Sequence, residues 1–337
     1  MNIQHVTVPA TPSKEAHKPK VEVVVVTCNS SQYAEACLDS ILEGGYQVIV
    51  VDNASSDGTV ELIRKRWPNI TLIENSLNIG YGSACNLGFA SSKADYVLFS
   101  NADVVYPPDS IRQMSNFLAR CPDAAVVAPQ LIYPDGTWQL SYADTPSVWT
   151  ALKDIFGVSW ARRKLRRALW PIKVDRRPRR VLFVAGAAML VRRTAFAATH
   201  GFDESFYFYA EESDLCMRLN KQGWGVVFNP TVNVVHVAGG HSVRVDRSDR
   251  FVREMVNSQS KLARKHLPPK QAQFYLECQW LFFKVAGFAW RVAGTILCNR
   301  LTAGVSAKVE LFRMYSDVFR EYMSDGSVRV RRTGGVL

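Results

Sequence analysis

Residues 21–30 read VEVVVVTCNS, a nearly continuous apolar run rich in β-branched side chains that ends in small polar residues. Such a run is typical of a strand that is buried on both faces of a parallel sheet. Similar runs follow at Val48–Val51, Ile70–Ile73 and Tyr96–Phe99. Stretches with helical spacing separate them, so the first hundred residues predict βαβ units and a doubly wound, mostly parallel α/β sheet.

Polar residues cluster where three of these predicted strands end. The clusters cover residues 27–30, 52–57 and 101–103. Because ligands of doubly wound sheets bind beyond the carboxyl ends of the strands, three clusters at one edge predict a ligand site. We expect Asp52 to accept hydrogen bonds from a nucleobase or a ribose, whereas turn and N-cap chemistry is the preferred interpretation of Asp57.

The composition is that of a globular protein with an uneven distribution of charge. The 337 residues are 47% hydrophobic and 21% charged, which excludes wholesale disorder, and the net charge is +11. Residues 1–150 hold 9 basic and 15 acidic side chains, whereas residues 151–337 hold 32 basic and 15 acidic ones. The basic second half predicts an anionic partner, either phosphorylated lipid or nucleic acid.

Neither the cysteines nor the amino-terminal segment indicates secretion. The seven cysteines form no C-x-x-C pair and show no metal-ligand spacing, which favours reduced, buried thiols in a cytoplasmic protein. Residues 1–20 are polar, contain prolines and lack the apolar core of a signal peptide. We therefore expect them to form a disordered tail.

Two residues at predicted strand ends have both a metal-binding and a structural interpretation. Asp103 could hold Mg²⁺ or Mn²⁺, which would bridge it to substrate phosphates, or it could cap the helix expected near Pro107-Pro108. His236 ends a later apolar run, and its imidazole is either an ordinary hydrogen-bonded group or a ligand of Mn²⁺.

Two further stretches have the residue types of a binding or catalytic site. Gly80–Gly82, followed by Asn86 and Gly88, would let the backbone approach a phosphate or a sugar closely, although no G-x-G-x-x-G or Walker A sequence occurs. Residues 201–215 read GFDESFYFYAEESDL and lead from aromatics into three carboxylates at the start of a predicted helix. These carboxylates either complement the helix dipole or supply a general base toward a hydroxyl group.

Eight motifs follow one another along about two thirds of the chain, from residue 21 to residue 242. They are VVTCNS (25–30), VDNASSDG (51–58), NIGYG (78–82), NLG (86–88), NAD (101–103), GFDE (201–204), EESDL (211–215) and His236. Each motif is weak by itself, but the ordered set is specific. In that order they resemble family 2 glycosyltransferases, and in particular the bacterial rhamnosyltransferase-like branch.

The resemblance implies a GT-A-type fold and a nucleotide-diphospho-sugar donor of the dTDP or UDP type. The residues expected to hold the donor are Thr27, Asn29, Asp52, Asn53, Gly80, Tyr81, Gly82, Asn86, Asn101 and Ala102. Asp103 falls on the last acid of the family's D-x-D motif, whose first acid is replaced by Asn101, and His236 falls on the family's later metal-binding histidine. The expected cofactor is therefore a divalent metal, Mg or Mn, held by Asp103 and His236.

The same resemblance implies an inverting displacement without a covalent intermediate. Glu212 stands where the family usually has the aspartate that acts as base, so either Glu212 or Glu211 would take the proton of the acceptor hydroxyl. Asp214 completes the candidate catalytic carboxylates, and Arg218 is expected to pair with a carboxylate one turn away. The residues expected on the acceptor side are Gly186, Ala187 and Tyr209.

The rest of the chain predicts a catalytic domain over 21–245, with a basic insertion at about 160–180, and a helical region over 246–337. In the apolar stretch around 279–298, Glu277, Lys284 and Arg291 recur every seven residues and form one polar stripe. We expect this helix to lie in a membrane interface, with packing on the catalytic domain or spanning as alternatives. The cations between 162 and 180 likewise favour an anionic membrane surface over nucleic acid, which is not expected as a partner.

The leading hypothesis is a membrane-associated inverting glycosyltransferase, at the cytoplasmic face of the inner membrane or in the cytoplasm. It would move a sugar, with rhamnose from dTDP-rhamnose as the best guess, to a lipid-linked or polysaccharide acceptor in cell-envelope glycan synthesis. A sugar-nucleotide nucleotidyltransferase is an alternative, but it should carry a glycine-rich, lysine-containing signature, and Thr27–Tyr33 has neither residue type. The third hypothesis is a non-catalytic protein that binds nucleotide sugars or glycans on a degenerate transferase fold. Its only support is that Asn101 and Glu212 depart from the family's pattern.

Overall fold

The computed structural model describes residues 19–143, 177–237, 248–296 and 302–325. The first two ranges belong to one compact unit, and the last two belong to another. The predicted tail, apart from residues 19 and 20, and the cations from 162 to 176 lie outside the described residues.

The front half of the larger unit is a parallel sheet, as its apolar runs predict. The strands β1 (Val21–Thr27), β2 (Gln47–Asn53), β3 (Thr71–Asn75) and β4 (Tyr96–Asn101) lie in the order β3-β2-β1-β4, and all three pairings are parallel. Every residue of β1 is buried. Its alternate valines enter two different hydrophobic clusters, one on each face of the sheet. Burial on both faces is the reason why this strand has a continuous apolar sequence.

Helices connect these strands where the sequence changes to helical spacing. They are α1 (Ser31–Leu42), α2 (Thr59–Arg66) and α3 (Tyr81–Ser91). Each helix begins a few residues after the end of the preceding strand. The three helices and four strands confirm the βαβ pattern.

The second half of the sheet is mixed, which the sequence pattern does not reveal. The following elements are β5 (Val104–Val105), α4 (Ser110–Arg120), β6 (Ala124–Ile132), β7 (Tyr142–Ala143), β8 (Arg179–Arg180), β9 (Phe183–Val184), β10 (Ala188–Arg192), α5 (Arg193–Ala198), α6 (Glu211–Lys221) and β11 (Gly225–His236). β10 lies between β4 and β6 and is antiparallel to both. β11 is parallel to β6 and antiparallel to β5, while β7 and β9 pair separately.

The last strand of this half contains two apolar runs. The runs, Val226–Phe228 and Val232–Val235, are separated by polar residues, yet both belong to β11. A shift in the pairing with β6 between Asn229 and Asn233 absorbs the polar residues that separate the runs. Such a bulge keeps the strand continuous although its alternation is interrupted.

The smaller unit is helical and consists of α7 (Asp249–His266), α8 (Pro269–Ile296) and α9 (Thr302–Asp325). Pro268 and Pro269 separate α7 from α8, and Pro269 opens α8, where its missing N–H costs nothing. Phe283 of α8 stacks on Tyr315 of α9 with ring centroids 4.5 Å apart. In the described part of the chain, no helix combines the length and the apolar character that crossing a membrane requires.

Candidate active site

The parallel strands bring the predicted polar clusters to one edge of the sheet. Thr27 lies opposite Asp52 in the β1–β2 pairing, and Val26 lies opposite Asn101 in the β1–β4 pairing. The Thr27 hydroxyl donates to Asp52 Oδ1 over 2.6 Å, and the Ser55 backbone N–H donates to Asp52 Oδ2 over 2.8 Å. Asp52 is only 2% exposed, so its carboxylate orders the loop that follows β2.

The loops after β1 and β2 hold each other through side chains that bond to backbone groups. Asn29 has a left-handed backbone, with φ of 49°, and its Oδ1 accepts the Ser56 N–H over 2.8 Å. Asp57 accepts the N–H groups of Thr59 and Ser31. Burial by itself raises the pKa of Asp57, but the hydrogen bonds from the Thr59 hydroxyl and from Ser31 and the Thr59 N–H together lower it to about 2. The turn interpretation of Asp57 is therefore confirmed.

The glycine-rich turn before α3 makes room for another part of the protein chain. Gly80 has φ of 90°, and a Cβ atom there would lie 2.4 Å from the Tyr207 carbonyl oxygen. A Cβ atom on Gly82 would lie 3.1 Å from Phe202 Cβ and 3.4 Å from Glu211 Cβ. Because the segment that leads into α6 approaches this closely, packing by itself explains both glycines.

Two residues expected to be near the donor have packing roles in the structure. Asn86 donates from Nδ2 to the Phe202 carbonyl and to Glu204, and its Oδ1 accepts the Phe202 N–H. A Cβ atom on Gly88 would lie 2.3 Å from Val24 Cγ1, so Gly88 allows α3 to pack directly on β1. The side chain of Asn53 similarly bridges Asn75 and the Gly80 carbonyl.

Asp103 and His236 meet at the centre of the edge. β5, which begins directly after Asp103, pairs antiparallel with the end of β11, and His236 lies opposite Val104. His236 Nε2 is 3.3 Å from Asp103 Oδ2, and both side chains are largely buried. Asp109, and not Asp103, occupies the N-cap position of α4. The helix-capping interpretation of Asp103 is therefore wrong.

The Asp103–His236 pair has the chemistry of a divalent metal site that is completed by a ligand. Within the described ranges, no three His, Cys, Asp or Glu side chains are grouped so that they could hold a metal ion. Mg²⁺ commonly takes one or two carboxylates from the protein and its other oxygens from water and substrate phosphates, and imidazole is an accepted ligand of similar metals. One carboxylate and one imidazole therefore fit a metal that is shared with a diphosphate.

Gln139 is a site residue that the sequence analysis missed. Its Nε2 donates to the His236 carbonyl over 2.6 Å, and its Oε1 lies 2.7 Å from His236 Nδ1. The Pro134-Asp135-Gly136 turn brings it there, because the chain reverses after β6 and Ile132 pairs with Trp138. A glutamine two residues beyond a hairpin has no distinguishing signal in a single sequence.

The acidic start of α6 follows two strained residues. Tyr209 and Ala210 both have left-handed backbones, with φ of 63° and 71°. Such conformations cost free energy in residues with a Cβ atom and are concentrated at functional sites. They turn the chain abruptly from the aromatic segment into Glu211 and Glu212.

The three carboxylates of α6 differ in their surroundings. Burial, followed by the charge of Glu212, raises the pKa of Glu211 well above its ordinary value. Burial also raises the pKa of Glu212 to about 7. Asp214 is fully buried and accepts from Arg218 Nε over 2.7 Å, which confirms the expected pairing of Arg218. Arg218 also donates to the carbonyl of Thr199, directly after α5. Asp214 therefore has a structural role, because it holds the side chain that links α6 to the end of α5.

Two of the predicted acceptor-side residues, Gly186 and Ala187, lie between Asn101 and the acidic start of α6. The Asn101 N–H donates to the Ala187 carbonyl over 3.0 Å, which ties this segment to the residues preceding Asp103. One residue earlier, a Cβ atom on Gly186 would lie 3.4 Å from Glu212 Cβ, and the Gly186 carbonyl accepts the Tyr81 hydroxyl over 2.9 Å. Residues 186–187 therefore contact both halves of the candidate site.

Known proteins resemble this chain in sequence and in fold. The model of the family described as Glycosyl transferase family 2 matches residues 22–199. The chain is 32% identical to the N-acetylglucosaminyl-diphospho-decaprenol L-rhamnosyltransferase of Mycobacterium tuberculosis, over 72% of this chain and 84% of that protein. It is 25% identical to rhamnosyltransferase WbbL of Escherichia coli K12, over 73% of this chain and 94% of that protein.

A solved structure extends the comparison to the fold. The mannosyltransferase PcManGT from Pyrobaculum calidifontis, determined in complex with GDP-Man and Mn²⁺, aligns with a TM-score of 0.57 and 18% identity. The alignment covers 95% of this chain and 92% of that structure. Together with the sequence matches, this places the chain in glycosyltransferase family 2, with a GT-A-type fold and its relatives among the rhamnosyltransferases.

Proposed function

We propose that this glycosyltransferase is metal-dependent and inverting, and that it transfers rhamnose from dTDP-rhamnose to a lipid-linked acceptor in cell-envelope glycan synthesis. Two relatives are named rhamnosyltransferases, and one is named for an acceptor with N-acetylglucosamine on a polyprenyl diphosphate. These names support the sugar and the class of acceptor. A polysaccharide acceptor is the other possibility that fits the same chemistry.

One observation carries the proposed mechanism: residues 186–187 contact Asn101, two residues before Asp103, on one side and Glu212 on the other. Inverting glycosyl transfer needs positive charge or hydrogen-bond donors near the leaving diphosphate and a base near the attacking hydroxyl. The Asp103–His236 pair would meet the first need, and Glu212 would meet the second. Asp103 and His236 would hold the cation, which when bound neutralises charge that grows on the departing diphosphate.

Glu212 is the better candidate for the base. Its pKa of about 7 leaves a large fraction ionised at neutral pH and gives it more proton affinity than an ordinary carboxylate. Glu211 is more deeply buried, and burial together with the charge of Glu212 raises its pKa well above its ordinary value, which favours a carboxyl group that keeps its own proton. Glu212 would remove the hydroxyl proton of the acceptor while that oxygen attacks the anomeric carbon from the face opposite the diphosphate.

In this proposal, the residues expected to bind the sugar-nucleotide donor act mainly by ordering the backbone of their loops. Thr27, Asp52 and Asn29 fix the loops at the ends of β1 and β2, so that the backbone groups of these loops would hold the nucleotide. Asn101 and Ala102 would lie next to the diphosphate because they precede Asp103. Tyr81 would act indirectly, through its hydrogen bond to Gly186.

An apolar stripe on α8 supports membrane attachment at the cytoplasmic face. Five large side chains at spacings of seven, four, three and four residues are exposed on one face of the helix, namely Phe274, Leu281, Val285, Phe288 and Val292. The opposite face packs on α9. Lys284 and Arg291 are also exposed along α8, and Lys284 Nζ is 4.7 Å from the Trp280 ring. An apolar stripe with cations beside it is typical of a helix that lies on an anionic membrane.

Calorimetric titration tests the proposed donor and cofactor. The dTDP, UDP and GDP nucleotides are each titrated into wild type and Asp103→Ala, with and without Mn²⁺. We expect Mn²⁺-dependent binding of dTDP that the variant loses. Absence of binding by any nucleotide would overturn the proposed reaction and favour a protein that has kept the fold without the activity.

A further inference from the structure

The two hydrogen bonds between Gln139 and His236 determine where the imidazole proton lies. The His236 carbonyl can only accept, so the Gln139 group 2.6 Å from it must be the amide NH₂. The other end of the same amide is then its oxygen, which can only accept and lies 2.7 Å from His236 Nδ1. A hydrogen bond forms there only if Nδ1 carries the proton.

Gln139 is itself held in place from several directions. It is buried, with 8% exposure, and its backbone N–H donates to the Leu131 carbonyl over 2.9 Å. Gln130 Nε2 donates to the Gln139 carbonyl over 2.9 Å and to the Ser141 hydroxyl. The backbone of Gln139 is therefore fixed independently of His236, which limits the positions that its amide can take beside the ring.

We propose that Gln139 is a positioning residue that holds His236 with its proton on Nδ1 and its Nε2 lone pair directed at the space beside Asp103. This inference rests on the proposed metal site. A neutral imidazole binds a divalent cation through an unprotonated nitrogen, and a hydrogen bond from its other nitrogen fixes the ring and its tautomer. With Nδ1 protonated, Nε2 is the free donor atom, and it is the nitrogen 3.3 Å from Asp103 Oδ2.

The arrangement also explains why the hairpin after β6 matters for the site. The hairpin crosses back beside the end of β11, because β6 and β11 are neighbouring strands. Asp135 closes its turn by accepting the Thr137 N–H over 2.8 Å. The hairpin thus places the Gln139 amide at the end of β11, beside the imidazole of His236.

Nitrogen-15 NMR of the histidine rings tests the tautomer without metal or substrate. In wild type, the His236 signal, identified by its loss in His236→Ala, should show the pattern of a ring with its proton on Nδ1. In Gln139→Met, which has a similar shape but no amide, that preference should be lost. A wild-type ring with its proton on Nε2 would overturn the inference.

Binding of Mn²⁺ alone, followed by the EPR signal of the free ion, tests the consequence. Gln139→Met should weaken Mn²⁺ binding about 10- to 100-fold, the usual effect of losing such a partner of a ligating histidine. Gln139→Glu in its protonated form keeps a donor for the His236 carbonyl and an acceptor for Nδ1–H, and should retain most of the affinity at a pH at which that carboxyl is protonated. Gln113→Met, at an exposed glutamine of α4, is the matched control and should bind like wild type.

The variants separate this inference from the proposed metal site. If His236→Ala and Asp103→Ala bind Mn²⁺ as wild type does, the metal site is wrong and the inference falls with it. If both lose Mn²⁺ while folded Gln139→Met binds normally, the metal site stands and only the role of Gln139 is overturned. Thermal unfolding of each variant establishes that it is folded. If Gln139→Met does not fold, Gln139→Glu decides the role of Gln139.

Discussion

Glu211 and Glu212 are neighbours in sequence, yet their environments give them different acid–base chemistry. One carboxylate oxygen of Glu211, Oε2, is buried and has no hydrogen-bond partner among the described residues. An unpaired buried carboxylate is costly, so the protonated form is favoured. Glu212 retains partial exposure and a pKa of about 7. Two neighbouring carboxyl groups that differ in exposure and in hydrogen bonding can divide the roles of fixed acid and working base.

The first prediction concerns the pH dependence of kcat. Glu212 accepts a proton only when it is ionised, so kcat should rise with pH up to about 7 and then level off. Initial rates between pH 5.5 and 8.5, at saturating donor and acceptor, measure this pH dependence of kcat. A profile that is flat across this range would show that Glu212 is not the base.

The second prediction concerns stability and Glu211. Because its pKa is higher in the folded than in the unfolded chain, the folded state binds the proton more tightly, and stability falls as pH rises above about 4.5 toward the folded pKa. Glu211→Gln removes this titration. Urea unfolding at pH 5 and pH 8 should show a smaller loss of stability in Glu211→Gln than in wild type. The exposed-site control Glu61→Gln should lose as much as wild type, and an equal loss in all three proteins would refute the assignment.

At the level of elements, the sequence is informative where a strand is buried on both faces. The runs of β1, β2 and β4 and the polar residues after them predict both the parallel half of the sheet and the edge that carries the site. The direction of β10 could not be predicted, because a short apolar run such as Ala188–Arg192 fits a parallel or an antiparallel strand equally well. The role of Gln139 was inaccessible for a related reason, since it depends on which strand neighbours the hairpin.

The glycines show a second limit of sequence reasoning. Gly80, Gly82 and Gly88 predict close approach of the backbone to something, and the structure confirms close approach. The groups approached are Tyr207, Phe202 and Val24, which belong to the protein. A glycine shows that space is needed and does not identify the group that uses the space.

The third prediction follows from Gly88. In Gly88→Ala, the new Cβ atom would meet Val24 Cγ1 at 2.3 Å, so α3 must shift away from β1. Overpacking of this kind typically costs about 1–3 kcal/mol, which urea unfolding would measure. Val24→Ala removes the opposing methyl groups, so it should cost less in the Gly88→Ala background than in wild type. Equal costs in both backgrounds would show that the contact does not limit packing.

For the whole molecule, the uneven charge and the exposed stripe of α8 point to the same partner. The basic second half of the chain favours an anionic surface, and Phe288, with 67% exposure, belongs to the apolar stripe of α8. A lipid-linked acceptor would itself bring the enzyme to a membrane. Attachment through α8 would then concentrate the enzyme where its acceptor lies.

The fourth prediction is binding to vesicles that contain anionic lipid, measured by co-sedimentation at low salt. Replacing Leu281 and Phe288 by serine removes two large apolar contacts and should weaken binding by about tenfold or more. Replacing Leu77 and Leu87, exposed leucines of the larger unit, should leave binding unchanged. Failure of the wild-type protein to bind such vesicles would refute membrane attachment.

The central claim is that Glu212 and the Asp103–His236 pair form one site for glycosyl transfer. Its most direct test is the initial rate of rhamnose transfer from dTDP-rhamnose to a synthetic N-acetylglucosaminyl diphospholipid in the presence of Mn²⁺. We predict transfer by wild type, and a rate at least about 100-fold lower for Glu212→Gln with its dTDP affinity intact. A Glu212→Gln variant that transfers rhamnose at the wild-type rate would contradict the account.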